Sequence, residues 1–360
     1  MITNPIIIII GAGLTGLTLG YELARAGQEF RILEARPRTG GRIFSASTPS
    51  GGPIEMGATW LGTKHTALTG LLEKLGIPTF EQTTGGRAIY EAISTSPAQV
   101  VQLPHNDQPS YRIAGGTERL LEVLKAEIPD DWLLLDTPVK ALERVSDGVK
   151  VVTDAGNFHA RQVVSTLPPH LFFTSITRKP ELAEDLVNLA AATHTWMGES
   201  IKVGLRYDRP FWRTDGPGGT IFSNVGPVTE MYDHSSVNDD HYALKGFFNG
   251  SFYPLSREQR REMVLDQLRK YYGPEVDDYR EYAECVWRNE AYTFTPNPDH
   301  VLPHQNNGAP AFRKPYWGGR LLLAGSETAA QFPGYMDGAV RSGQRVAAQL
   351  LMKVNTQDRV

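Results

Sequence analysis

The chain has 360 residues, of which 41% are hydrophobic and 21% charged, a balance typical of a globular protein rather than a disordered one. Its formal net charge of −4 and its lack of basic runs argue against nucleic acid and anionic membranes as partners. Cys285 is its single cysteine, which excludes internal disulfides and cysteine metal clusters. The nine histidines follow no metal-binding spacing, so we predict no metal site. One free cysteine and the absence of a long apolar segment favour a cytoplasmic protein that does not span a membrane.

The N-terminal motif is a strand, a glycine-rich turn and a helix. Ile6 to Ile10 predict a buried β-strand, which continues into a GxGxxG turn and then into an apolar-periodic helix. Gly11 allows the tight turn, Gly13 lets the backbone approach a pyrophosphate, and Gly16 lets the helix pack on the strand. The helix would direct its free N–H groups and its positive dipole end towards the phosphates. The motif therefore predicts a dinucleotide site.

The next segment indicates which dinucleotide this is. A second predicted strand, Phe30 to Leu33, is followed by Glu34, eighteen residues past Gly16. An acid at this point can bind ribose hydroxyls and argues against the 2′-phosphate of NADP. The following Gly40-Gly41-Arg42 is not needed by a nicotinamide unit, whereas FAD offers a phosphate to this backbone and to the arginine. We therefore predict FAD.

Further blocks make the chain resemble the flavin-dependent amine oxidase family. They are Gly40 to Arg42, Ile54 to Gly62, Ile113 to Leu120, Gly198 to Val203 followed by Pro210 to Trp212, and Leu323 to Thr328 followed by Gly334 to Ala339. These blocks are distributed along nearly the whole chain and occur in the same order as in the family. The resemblance implies an α/β fold: a Rossmann-type FAD-binding domain with helices on both faces of a parallel sheet, and a smaller α+β substrate domain with a mixed or antiparallel sheet.

The spread of the flavin motifs implies domains assembled from separate stretches. We expect the FAD-binding domain to comprise residues 1–80, 111–191 and 290–360. The substrate-binding domain would then comprise residues 81–110 and 192–289. Within the second, Ser200 to Leu205 and His241 to Phe248 predict strands, and Arg257 to Tyr272 a helix capped by Ser256.

The resemblance also implies a set of cofactor-binding residues. They are Gly11, Gly13, Leu14, Thr15, Gly16, Glu34, Ala35, Arg36, Gly40, Gly41, Arg42, Gly57, Ala58, Thr59, Trp60, Val139, Trp287, Gly325, Ser326, Glu327, Tyr335, Met336 and Ala339. Counted from Trp287, the positions that hold a cysteine and a second aromatic residue in monoamine oxidases fall at Pro296 and Asn297. Without that cysteine, we expect FAD to be bound non-covalently.

Two residues are implied to be catalytic. Lys202 matches the family's lysine, which hydrogen-bonds a water at flavin N5, the atom that accepts hydride. Because it lies in an apolar strand-like run, a buried ammonium there would need a partner. Tyr335 matches an aromatic wall that steers the amine nitrogen. Three aromatic residues could replace the missing second wall: Tyr292, Phe294 and Trp317.

The first substrate-domain segment departs from the family. In the amine oxidases this stretch is long, largely helical and covers the substrate cavity, whereas residues 81–110 are few and hold two glycines and three prolines. A helical lid does not fit, so we expect an open cavity, or one covered by a second copy of the chain or by another partner.

The function implied is oxidation of a small-molecule amine. Hydride passes to flavin N5, the imine hydrolyses, and O2 reoxidises the flavin to give hydrogen peroxide. Two alternatives stay open. One is a desaturase or protoporphyrinogen oxidase-like enzyme that acts on a bulky substrate. The other is a flavin-binding component of a larger assembly that a partner completes.

Overall fold

The computed structural model describes residues 7–46, 52–213 and 218–357, with side chains up to Met352. The α-helices are α1 (Leu14–Arg25), α2 (Thr66–Lys74), α3 (Glu118–Ala126), α4 (Pro169–Ser175), α5 (Glu184–Ala191), α6 (Arg257–Tyr272) and α7 (Met336–Gln357). The strands are β1 (Ile7–Ile10), β2 (Arg31–Leu33), β3 (Ser45–Ala46), β4 (Ile54–Glu55), β5 (Thr79–Glu81), β6 (Arg87–Glu91), β7 (Gln99–Gln102), β8 (Tyr111–Ile113), β9 (Leu133–Leu134), β10 (Val139–Arg144), β11 (Val149–Thr153), β12 (Gly156–Ala160), β13 (Gln162–Ser165), β14 (Thr177–Lys179), β15 (Ile201–Tyr207), β16 (Thr220–Ser223), β17 (Val228–Asp233), β18 (Tyr242–Phe248), β19 (Glu281–Val286) and β20 (Leu321–Leu323).

A five-stranded parallel sheet lies at the centre of the nucleotide-binding part, in the order β20-β13-β1-β2-β9. Because side chains alternate across a strand, Ile7 and Ile9 of β1 pack in one hydrophobic cluster with residues of α1 and α7. Ile8 and Ile10 pack in another cluster, with residues of α4 and α5. Helices therefore cover both faces, and the predicted Rossmann-type fold is confirmed. The predicted strand residue Ile6 lies outside the described residues.

A seven-stranded mixed sheet has the order β19-β15-β18-β17-β16-β6-β7. Its pairs are antiparallel except β16 with β6. Val264, Leu265 and Leu268 of α6 pack on one face, and the predicted cap of that helix is confirmed, since Ser256 and Gln259 form a reciprocal capping box. The strands come from the two segments assigned to substrate binding, and the domain boundaries themselves stay predictions. A smaller sheet, β12-β11-β10-β14, flanks the parallel one.

Residues 81–110, all of them described, contain no helix and instead extend the mixed sheet. β6 and β7 form an antiparallel pair at its edge. The pair is anchored by Glu91, whose buried carboxylate accepts hydrogen bonds from Lys270 and Tyr271 on α6. Where a helical lid would need a long insertion, this short segment forms a strand pair.

A buried carboxylate joins the last helix to α2. Asp337 accepts hydrogen bonds from the N–H groups of Ala67 (2.8 Å) and Leu68 (2.9 Å) at the start of α2, which no side chain at its own N-cap satisfies. Its second oxygen accepts from Arg341 Nε at 2.6 Å. One side chain therefore caps α2 and fixes it to the beginning of α7.

We expect Asp337→Ala to destabilise the protein by about 1–3 kcal/mol, because two buried N–H groups lose their acceptor. Asp337→Asn keeps an oxygen at that position and should lose less. Thermal unfolding of the two purified variants beside wild type measures this difference. Equal losses for both would show that the capping oxygen is not what stabilises this junction.

Candidate active site

A cavity of about 420 Å³ lies between the parallel sheet and the mixed sheet. It is lined by most of the residues that the sequence singled out: Gly11, Gly13, Leu14, Thr15, Glu34, Ala35, Arg36, Gly40, Gly41, Arg42, Gly57, Ala58, Thr59, Trp60, Val139, Lys202, Trp287, Ser326, Tyr335, Met336 and Ala339. Gly16, Gly325 and Glu327 do not line it. The fold thus brings segments from both ends and the middle of the chain to one cavity.

One end of the cavity is formed by the turn into α1. A Cβ on Gly16 would lie 2.0 Å from the carbonyl oxygen of Gly11, so this glycine serves close packing of helix and turn. A Cβ on Gly13 would meet nothing nearer than 3.9 Å. The first helical bond runs from Leu17 N–H to Gly13 O, and no side chain caps the helix. Its first N–H groups are thus unused by the helix itself at the cavity wall.

Glu34 lies beside this turn and is held by the backbone. Its Oε2 accepts from Ala12 N–H at 2.7 Å and its Oε1 from Arg36 N–H at 3.0 Å. The Arg36 guanidinium in turn pairs with Glu290 at 2.8 Å and lies 5.6 Å from the ring centroid of Tyr292. Tyr292 therefore lies at the Glu34 end of the cavity.

Arg42 forms a two-pronged ion pair with Glu327. Its two terminal nitrogens lie 2.6 and 2.9 Å from the carboxylate oxygens, and Nη2 also donates to Ser326 Oγ at 2.9 Å. Glu327 is 0% exposed; burial by itself raises the pKa of its carboxyl, but the charge and hydrogen bonds of Arg42 outweigh this and hold the pKa below its usual value. The guanidinium that we expected to hold a phosphate is thus already bonded within the protein, and Glu327 contributes through Arg42 rather than at the cavity wall.

Lys202 is placed by the alternation of β15. Ile201 and Val203 face the α6 side, so Lys202 faces the cavity, where it is 5% exposed. Its Nζ donates to Gly57 O at 2.5 Å and lies 5.0 Å from the ring centroid of Phe247. Burial lowers the pKa of Lys202 to about 8, although the nearby carboxylate of Glu55 acts in the opposite direction.

Tyr335 stands directly before α7 and is 38% exposed. Its ring centroid lies 5.8 Å from that of Trp196 and 5.6 Å from that of His304, to which it is nearly parallel at 14°. Trp196 and His304 are themselves stacked at 3.9 Å. Trp196 lines the cavity. Sequence reasoning missed both of these neighbours, since neither falls in a motif.

Of the three aromatic residues that could have replaced the second wall, two do not line the cavity, and the third lines it away from Tyr335. Phe294 is buried against Gly198, where an added Cβ would come within 2.2 Å of its ring. Trp317 is buried in the core and donates to Pro180 O at 3.2 Å. Tyr292 lines the cavity at its Glu34 end. The aromatic neighbours of Tyr335 are instead Trp196 and His304, which lie far from it in sequence and meet it through the packing of loops.

Trp287 and Lys245 complete the protein wall behind the cavity. Trp287 donates its Nε1–H to Met56 O at 2.8 Å, which fixes the loop after β4. Lys245 on β18 is 0% exposed and donates to Thr59 Oγ1. Sequence reasoning did not single out Lys245, although it stands in an apolar run like that of Lys202.

The family model for flavin containing amine oxidoreductases matches residues 14–106 and 94–351. These two matches span most of the chain, which therefore belongs to this family. The chain is accordingly a flavin-dependent amine oxidoreductase.

Similar proteins agree with this assignment. The chain is 23% identical to the probable flavin-containing monoamine oxidase A of Dictyostelium discoideum, over 97% of this chain and 98% of that protein. It is 24% identical to putrescine oxidase of Kocuria rosea, over 96% of this chain and 95% of that protein. Cyclohexylamine oxidase from Brevibacterium oxydans has the same fold, with a TM-score of 0.84 at 22% identity over 98% of this chain and 100% of that one.

The comparison also shows a difference in length. The alignment with the Dictyostelium protein runs over 457 positions, more than the 360 residues present here, so the relative holds segments without a counterpart. The two family-model matches overlap at residues 94–106, within the segment 81–110 that contains β6 and β7. This is the region that we predicted to be too short for a helical lid.

Among the described residues, no helix is both long enough and apolar enough to cross a membrane.

Proposed function

We propose that this protein is an FAD-dependent amine oxidase in which Lys202 and Tyr335 act on the substrate side of the flavin. The proposal rests mainly on the buried amine of Lys202. It lines the same cavity as the glycine-rich turn and Glu34. The alternation of side chains along β15 turns Lys202 towards the cavity. Its burial lowers the pKa to about 8, so the neutral amine is populated near that pH.

The residues at the other end of the cavity suit the nucleotide half of FAD. The free N–H groups at the start of α1 can hydrogen-bond the pyrophosphate, and the carboxylate of Glu34 can accept from ribose hydroxyls. The start of α7, with Met336 and Ala339 on the cavity wall, directs a helix N-terminus towards the site, where it favours negative charge.

Bound FAD would supply N5 as the hydride acceptor for the carbon next to the amine nitrogen, and O2 would be the final electron acceptor, giving hydrogen peroxide. The protein's own contributions are positional and electrostatic. Lys202 holds or releases a proton at the cavity wall, while the ring of Tyr335 orients the amine through its π face. The imine product hydrolyses in water to a carbonyl compound and ammonia or an amine.

We also propose that FAD is held without a covalent bond. Pro296, at the position where monoamine oxidases hold a cysteine, offers no nucleophile. Cys285 does not line the cavity, packs with Met56 and Trp287, and has its pKa raised to about 12 by burial, so its reactive thiolate is scarcely present near neutral pH.

The test is to purify the protein, release its cofactor with acid and mix the loaded enzyme anaerobically with primary, secondary and amino-acid amines. We expect acid to free a yellow cofactor, an amine to bleach the flavin band, and air to restore it with formation of peroxide.

A fully loaded flavin that no amine bleaches would contradict the oxidase proposal. Bulky dehydrogenation substrates would then be tested in the same assay. Gel filtration of the active enzyme separates a self-sufficient monomer from a homodimer or a component that requires a partner to cover the open cavity.

A further inference from the structure

A second lysine lies on the same face of the mixed sheet as Lys202. In the antiparallel pair β15–β18, Lys202 is opposite Phe247, and Lys245 is opposite Gly204. Directly paired residues share a face, so both amines point towards the loop after β4. A Cβ on Gly204 would lie 2.5 Å from Ile54 Cγ2 and 3.2 Å from Met56 Cε, so the missing side chain lets β4 and the loop after it pack closely on this face. Both lysines are buried, at 5% and 0% exposure.

Residues 57–60 connect the two amines. Lys245 Nζ donates to Thr59 Oγ1, and that hydroxyl donates to Gly57 O at 3.2 Å. Lys202 Nζ donates to the same Gly57 carbonyl at 2.5 Å. The ring centroid of Trp60 lies 4.6 Å from Lys245 Nζ and 6.0 Å from Lys202 Nζ. Gly57, Thr59 and Trp60 all line the cavity, so the connection runs along its wall.

The charges around the pair do not balance two ammonium groups. Glu55 is the buried carboxylate that faces both lysines, and it already accepts from Thr117 N–H at 2.7 Å and faces Arg112 Nε at 3.7 Å. His234 lies 3.5 Å from Glu55, and burial lowers the pKa of its imidazole well below the usual value, so it is neutral.

The remaining neighbour, the thiol of Cys285, faces Lys202 from β19. Its raised pKa leaves it uncharged near neutral pH. Burial, followed by the charge of Lys202, lowers the pKa of Lys245 well below its usual value. Two protons on this pair would place two cations in a dry environment with a carboxylate that Arg112 already neutralises.

We propose that Lys245 is a positioning residue for Lys202: the two buried amines hold one proton between them, and Lys245, through Thr59 and Gly57, keeps that proton at Lys202 on the cavity wall. The neutral amine of Lys245 donates to the hydroxyl of Thr59, which polarises the bond from that hydroxyl to Gly57 O. The carbonyl is thereby fixed as the acceptor for Lys202. The proposal rests on the proposed function, in which Lys202 faces the flavin.

The experiment measures the midpoint potential of the bound flavin against pH, by slow enzymatic reduction with a reference dye. If the proton affinity of a neighbouring group depends on the redox state of the flavin, the slope of midpoint potential against pH changes near the pKa of that group. We call this change of slope the break. In wild type we expect a break near pH 8, and Lys202→Met should abolish it, which assigns the break to Lys202. This readout requires bound flavin but no amine turnover, so failure of the oxidase proposal does not affect it.

Lys245→Met should move the break to lower pH by about half a unit or more, because the ammonium at Lys202 loses a polar neighbour that stabilises it. Thr59→Val, which removes the connecting hydroxyl, should shift it in the same direction, and Thr59→Ser should restore the wild-type position. Lys150→Met removes a lysine that pairs with Glu143 away from the cavity and should leave the break unchanged.

Two results overturn the proposal. An unchanged break in Lys245→Met shows that the two amines are not linked. A break that moves to higher pH shows that Lys245 carries a charge of its own, since removal of a neighbouring cation raises the proton affinity of Lys202. If Lys245→Met does not fold, as judged by flavin content and circular dichroism, the two Thr59 variants decide the question.

Discussion

Replacement of Lys202 by methionine is expected to slow anaerobic flavin reduction by an amine, or reoxidation by O2, by on the order of a hundredfold, the range for loss of one proton-handling group. The flavin should remain bound, because methionine fills the same buried space on β15 and the nucleotide-binding wall is formed by other segments. Stopped-flow measurement of each half-reaction separates the two steps. A variant with wild-type rates in both would remove Lys202 from the mechanism.

The same residue gives a prediction for the pH dependence of the reaction. Burial lowers the pKa of Lys202 to about 8, so the amine is protonated below this pH and neutral above it. We expect an inflection near pH 8 in the affected half-reaction of the wild-type enzyme. Lys202→Met should lack that inflection, whereas the surface variant Lys150→Met should retain it.

Arg42→Ala is expected to destabilise the protein by about 3–5 kcal/mol at pH 7, because it leaves the fully buried carboxylate of Glu327 without its partner. In wild type the carboxyl's pKa is depressed, so its stabilising contribution is present above the unfolded-state value and lost as pH falls through the folded-state value. Without Arg42 that pKa rises, and the deficit should shrink at low pH. Thermal unfolding at several pH values measures both effects.

The matched control is the double variant Arg42→Ala with Glu327→Gln, which removes the buried charge together with its partner. It should recover part of the lost stability, since an uncharged amide costs less to bury than an unpaired carboxylate. If the double variant is as unstable as the single one, packing of the arginine side chain, rather than the charge pair, accounts for the loss.

Local patterns predicted the elements that depend on neighbours in sequence. The isoleucine strand before Gly11 and the helix after it follow from residue size, flexibility and periodicity, and both are present as β1 and α1. The capping box from Ser256 to Gln259 follows from residues three positions apart. The apolar run around Lys202 predicts a strand in which a buried lysine needs a partner; the strand is β15, and the partner is the carbonyl oxygen of Gly57.

The sequence by itself therefore determined the Rossmann-type core, the family and the strand that carries Lys202, because each depends on short motifs of residues close together along the chain. The tertiary structure alone decided that Arg42 pairs with Glu327, that Trp196 lies beside Tyr335, and that Lys245 meets the loop at Thr59. These pairs join segments more than a hundred residues apart. Their contacts depend on sheet register and on the packing of loops between two sheets, which no local pattern encodes.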